Sequence, residues 1–246
     1  MERYINPPIQ GPGTGIGPTS TTPPMVFFED FLGGANIGPP GAGTAVGNVG
    51  SIWEIGVYDG GTVSMTNDRH GGWLGITTSA TDNHDLQIQT NVESWLPADS
   101  KAFYLETRLR ASQVALGPHS FFVGLFTRDT VFGTDAAVTA FDHMGVGTQE
   151  SVNISQMVGD GTAATTSTVD TGSDLALNTN VTIALEYSPS SDTFKTYVDG
   201  DLKATTTGAS QYLPSGECCL GILTRNAAGS AATSFEFDYI YLAMDR

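Results

Sequence analysis

The chain has 246 residues, 26 of them acidic and 10 basic, for a formal charge of −16. A surface of that sign repels nucleic-acid phosphates and anionic lipid, which excludes nucleic acid and membrane as primary partners. Hydrophobic residues at 39% allow a packed core, while 15% charged residues and 30 glycines favour many short strands and turns over long helices.

Residues 1–24 carry Pro7, Pro8, Pro12, Pro18, Pro23 and Pro24 among glycines. Proline removes backbone donors and fixes φ, so this stretch builds no core and reads as an extended N-terminal arm. Tyr4, Ile5, Ile9 and Ile16 sit along it as apolar beads and are the candidate partner-binding residues. Residues 25–246 read as one β-sandwich domain, with the Gly/Pro-rich stretch 33–50 as a surface loop. The start, Met1-Glu-Arg-Tyr-Ile-Asn-Pro-Pro8, shows no basic segment followed by an apolar run, so no export signal is expected. No apolar stretch is long enough for a membrane helix.

Further along, Phe103, Leu105, Thr107, Leu109 and Ala111 alternate with Tyr104, Glu106, Arg108 and Arg110, the period of a strand with one buried face. Residues 121–127 are apolar on both faces, as in a central strand. Val181, Ile183, Leu185 and Tyr187 alternate in the same way as the first strand. A turn at 188–192 leads to a strand at 193–198, and Asp199-Gly200 signals a tight hairpin into 202–206. Strands at 218–224 and 234–243 close the chain. Weaker strands are expected near 26–31, 52–58, 62–66, 73–78, 85–90, 139–146 and 152–158. The adjacent Cys218 and Cys219 point to opposite faces of their strand, so they form no ordinary bridge, which fits assembly in a reducing cytoplasm. This pattern predicts an all-β, antiparallel two-sheet jelly-roll sandwich with an extended N-terminal arm.

The run Val181-Thr-Ile-Ala-Leu-Glu-Tyr187, followed by Tyr197-Val-Asp-Gly-Asp-Leu202, resembles the penultimate hairpins of concanavalin A-like and laminin G-like domains. The closing Phe235-Glu-Phe-Asp-Tyr-Ile240 and the opening Phe28-Glu-Asp-Phe31 are similar to that family's last and first strands. The resemblance spans roughly residues 26–243 and implies the sandwich fold, not a function. A sandwich with such an arm and no export signal also looks like a tailed-bacteriophage capsid decoration (cement) protein. That likeness implies a virion localisation, a major capsid protein or another virion subunit as partner, and a homo-oligomer, expected as a trimer.

A glycosidase of this superfold would set acids at alternate positions of one strand, as E-x-D-x-E or E-x-D-x-x-E, to bring two carboxylates onto one face. The nearest match, Glu236-Phe-Asp238, continues with Ile240 and lies in the closing strand, so the chain is expected not to be an enzyme and no catalytic residue is assigned. His70, His84, His119 and His143 have no partner at metal-ligand spacing and read as surface or turn residues. No cofactor is expected. Asp82, Asn83 and Asp85 are the candidate calcium ligands, in a segment whose Asp and Asn also suit a turn. Trp53, Trp73 and Trp95 suit either a sugar-stacking platform or the core. Two functions follow: a non-enzymatic virion subunit that cements a capsid through its sandwich and arm, or a carbohydrate-binding, lectin-like receptor-binding or adhesin domain.

Overall fold

The computed structural model describes residues 24–29, 31, 45–49, 53–57, 61–66, 72–81, 84–112, 119–127, 142–149, 151–160, 166–226 and 232–246. Among these residues the strands are β1 (Met25–Glu29), β2 (Ala45–Val49), β3 (Trp53–Val57), β4 (Gly61–Thr66), β5 (Trp73–Thr78), β6 (His84–Thr90), β7 (Phe103–Ala111) and β8 (His119–Phe126). They continue as β9 (Asp142–Thr148), β10 (Asn153–Asp160), β11 (Thr166–Asp174), β12 (Val181–Ser188), β13 (Thr193–Val198), β14 (Asp201–Thr207), β15 (Cys219–Asn226) and β16 (Ser234–Met244). Among the described residues a 3₁₀ turn, Ala209–Tyr212, interrupts them.

Two antiparallel sheets result. The first runs β14-β13-β12-β7-β16-β5-β4, with β1 also paired to β16; the second runs β11-β10-β9-β8-β15-β6-β3-β2. β16 is long enough to hold β5 against Ser234–Phe237 and β1 against Ile240–Met244 along one edge, with β7 along the other. This is the all-β sandwich expected from the alternation, with almost no helix.

The alternating positions fill the space between the sheets. Leu105, Leu109, Ile183, Leu185, Phe235, Phe237 and Ile240 of the first sheet meet Ile55, Ile88, Phe121, Val123, Val146 and Ile222 of the second. Phe121 stacks at 5.4 Å from Phe235 across that gap. Gln156 on β10 also points inward and is buried. Its amide donates to Thr196 Oγ1 at 2.8 Å, and its oxygen accepts from Thr206. The polar side chain therefore ties the two sheets together without an unmet donor or acceptor at its tip.

Local signals explain the connections. Asp199 and Gly200 have φ of 51° and 86°, the two positive values of a type I′ hairpin turn. Asp199 Oδ1 accepts the Thr182 amide at 2.9 Å, fastening the turn to β12. In β16 the ladder slips so that Phe237 faces Leu109 while Tyr239 faces Arg108. Asp238 is thus the extra residue of a bulge, and Thr107 Oγ1 donates to the Tyr239 carbonyl at 2.8 Å.

Two strands depart from the sequence expectation. β2 lies inside the stretch expected to be loop throughout; its Ala-Val-Gly-Asn-Val carries too little alternation to stand out among the glycines. β11, Thr-Ser-Thr-Val-Asp-Thr-Gly-Ser-Asp, is an edge strand with one buried residue, Thr171, so it has no hydrophobic period to read. Among the described residues, no helix is long and apolar enough to cross a membrane.

Candidate functional site

The outer faces of the two sheets differ. On the second sheet, the residues between the core positions are also shielded, and they combine polar and aromatic side chains. Glu54 on β3 stands opposite Gln89 on β6 in the ladder. Gln89 Nε2 donates to Glu54 Oε2 at 3.3 Å, and Gln87, two residues earlier on β6, donates to Gln89 Oε1. The three are exposed by only 7, 5 and 3% in the order Glu54, Gln87, Gln89. Cys219, next door on β15, approaches Gln89 Oε1 at 3.6 Å and donates to the Phe126 carbonyl at 3.3 Å. Burial of such groups is tolerable because they bond one another.

Beside this row lies an apolar floor of Phe122, Phe126, Met157, Cys219 and Leu223. The floor depends on glycine. A Cβ on Gly145 would collide with the Val123 carbonyl and the Phe122 ring, and one on Gly221 with the Ile88 carbonyl and the Phe126 ring. The two phenyl groups therefore lie against bare backbone, 6.1 Å apart between ring centres. The buried His143 ring meets the Phe122 ring at 5.9 Å, edge to face. A carboxylate and two amides in a line, beside flat rings, have the chemistry that a sugar's hydroxyls and C–H face require, although here the polar groups bond one another and the rings are closed to solvent.

The candidates from sequence fall elsewhere. Tyr4, Ile5, Ile9, Ile16, Asp82 and Asn83 lie outside the described residues. Asp85 stands in β6, opposite Arg225 in register and two residues before Gln87. Among the described residues, no group of three or more His, Cys, Asp or Glu could hold a metal ion. His143, expected at a surface or turn, is wholly buried on β9.

The tryptophans form no platform. Trp53 packs edge to face with Phe27 at 5.7 Å, Trp95 is buried in the core, and Trp73 lies under Arg110 at 5.6 Å on the first sheet. Glu236 and Asp238 are both paired: Glu236 with Arg110, and Asp238 with Arg108 at 3.2 Å. The two cysteines do face opposite ways, Cys218 into the core and Cys219 into the outer floor. Burial pushes the Cys218 thiol up to about 12, helped by the charges of Asp142 and Glu93.

Glu54, Gln87, Gln89 and the two phenylalanines were missed as a set. Their signals were present: Gln87-Ile-Gln89 alternates polar and apolar, and a strand apolar on both faces has one apolar face outside the core.

No protein-family model and no curated protein matches the chain. Solved structures do. The β-glucanase of Bacillus licheniformis is 17% identical with a TM-score of 0.56, over 92% of this chain and all of its own. An endo-1,3-β-glucanase of Streptomyces sioyaensis is 13% identical with a TM-score of 0.57, over 89% of this chain and 95% of its own. Peanut lectin is 13% identical with a TM-score of 0.59, over 91% of this chain and 98% of its own. The fold is that of the concanavalin A-like jelly-roll sandwiches. Within that fold, the expectation that the chain is not an enzyme is corrected. Two of these neighbours are glucanases, so the architecture is one that carries hydrolysis. The nearest match to E-x-D-x-E, Glu236-Phe-Asp238, lies on β16 of the first sheet, whereas the polar row lies on β3 and β6 of the second.

Proposed function

We propose that the chain is a carbohydrate-active sandwich that recognises a polysaccharide on the outer face of its second sheet. The observation that carries this is the row Glu54–Gln89–Gln87 set beside an aromatic, glycine-backed floor. The row and the Phe122 and Phe126 rings are nearly closed to solvent, so this face must open before a sugar meets Glu54, the glutamine amides or the rings. Lectins and glucanases on this fold support carbohydrate as the ligand class. The test is retention of the protein in native gels cast with neutral β-glucans, with reducing-end release measured in parallel. Retention weakened by Glu54→Gln and by Gln89→Ala, with unchanged melting, supports the reading. Retention indifferent to both sinks it.

Attachment to a virion through Tyr4, Ile5, Ile9 and Ile16 is a separate proposal that rests on the composition of the arm. Co-sedimentation with assembled shells, with and without residues 1–24, tests it.

A further inference from the structure

The outer face of the first sheet carries a second constellation that the row on the opposite sheet does not use. Tyr104 and Tyr239 both donate their hydroxyls to Glu106, at 2.5 and 2.6 Å, one to each carboxylate oxygen. Tyr197 donates to Glu186 at 3.0 Å. Tyr241 stands opposite Glu106 in the ladder, with its ring 6.1 Å from that of Tyr104. Phe28 stands opposite Tyr241 on β1, with its ring 6.1 Å from that of Tyr239 and 42% of its surface exposed. An aromatic stripe thus crosses the strands from β1 through β16 and β7 toward β13, held rigid by two carboxylates. The Asp238 bulge brings Tyr239 to Glu106, since without the extra residue the outward positions of β16 would fall one place out of step.

We propose that this stripe is a second binding surface for a neutral polysaccharide, with the half-buried tyrosine rings and the exposed Phe28 ring stacking sugar faces while the buried Glu106 and Glu186 hold the tyrosines in place from beneath. Pre-ordered aromatics of this kind lose little freedom on binding. Charge selects the occupant. The strands β1, β7, β12, β13 and β16 carry five acids (Glu29, Glu106, Glu186, Glu236, Asp238) against three cations (Arg108, Arg110, Lys195), a net of −2 in a chain of −16. A nearly balanced face on so acidic a protein suits an uncharged polymer and offers little to a basic partner. The inference shares with the proposed function only the ligand class.

Native gels containing laminarin or barley β-glucan test it with the full chain. The double variant Phe28→Ala/Tyr241→Ala should lose several-fold in retention in at least one gel while melting as wild type. Combining it with Glu54→Gln/Gln89→Ala should lower retention further than either alone. If the double variant does not fold, Phe28→Ser, at an exposed position, carries the same test. Undiminished retention of a folded variant overturns the second surface whatever the Glu54 variant does. So does a wild-type chain retained by neither glucan. Loss of self-association in the variant without loss of retention overturns it in favour of a second copy of this chain. Retention lost with the stripe but indifferent to Glu54 and Gln89 supports this inference and defeats the reading of the other sheet.

Discussion

Gln156 on β10 and Thr196 on β13 are 2.8 Å apart across the interior, a polar contact joining two sheets whose shared core is mainly hydrocarbon. With Thr206 as its second partner, the amide is satisfied on both sides. Replacing Gln156 by Ala leaves a cavity and the buried Thr196 hydroxyl without its partner. An unmet buried group costs about 1–3 kcal/mol, and the cavity adds to it. Urea unfolding of Gln156→Ala should show a loss of about 3 kcal/mol. A change within about 0.5 kcal/mol would mean the contact is incidental.

Gly145 and Gly216 make a matched pair. A Cβ at Gly145 meets a backbone carbonyl that cannot yield, whereas one at Gly216 meets nothing within 4 Å. Gly145→Ala should destabilise by about 2 kcal/mol or more and disturb the Phe122 ring, while Gly216→Ala should fall within about 0.5 kcal/mol of wild type. Equal effects would contradict the floor described for the second sheet.

The tyrosine stripe predicts an alkaline limit to stability. Burial holds the Tyr104 and Tyr239 hydroxyls well above the ordinary tyrosine range, with the Glu106 hydrogen bond and charge adding to it. Burial also raises Tyr241, and pushes Tyr187 up to about 12. The unfolded chain releases these protons near pH 10, before the folded chain does, so it binds fewer protons above that point. Stability is therefore complete below about pH 10 and falls as pH rises toward 12 and beyond. Urea midpoints across that range, read with tyrosinate absorbance, check it. A flat profile contradicts the burial of these hydroxyls.

Both thiols are buried, and Cys218 is held largely protonated. A thiol-alkylating reagent at mildly alkaline pH should leave the native chain unmodified by mass and add two groups after unfolding. Rapid native labelling would show that the floor around Cys219 opens readily.

The sandwich was legible because burial imposes period two. Phe103–Ala111 and Val181–Tyr187 could be assigned from alternation alone, and Asp199-Gly200 from the positive φ its turn needs. β2 and β11 were not, since glycine and threonine pack little and leave no period. The candidate row was harder still. Glu54 and Gln89 are separated by 35 residues and meet only through the β3–β6 ladder. Hydrogen bonding between strands distant in sequence leaves no local spacing to find. The Glu106 cluster was hidden for the same reason, with Tyr239 arriving through a one-residue bulge.

The central claim is that the row on the second sheet binds carbohydrate, and calorimetric titration of a neutral β-glucan oligosaccharide into wild-type and Glu54→Gln protein tests it most directly. Loss of a hydrogen bond to a charged acceptor costs about 1.5–3 kcal/mol, or roughly 10- to 150-fold in affinity. Wild-type protein should bind, and Glu54→Gln should weaken binding by at least about tenfold while melting at the same temperature. Equal affinity in the two proteins, both folded, would contradict it.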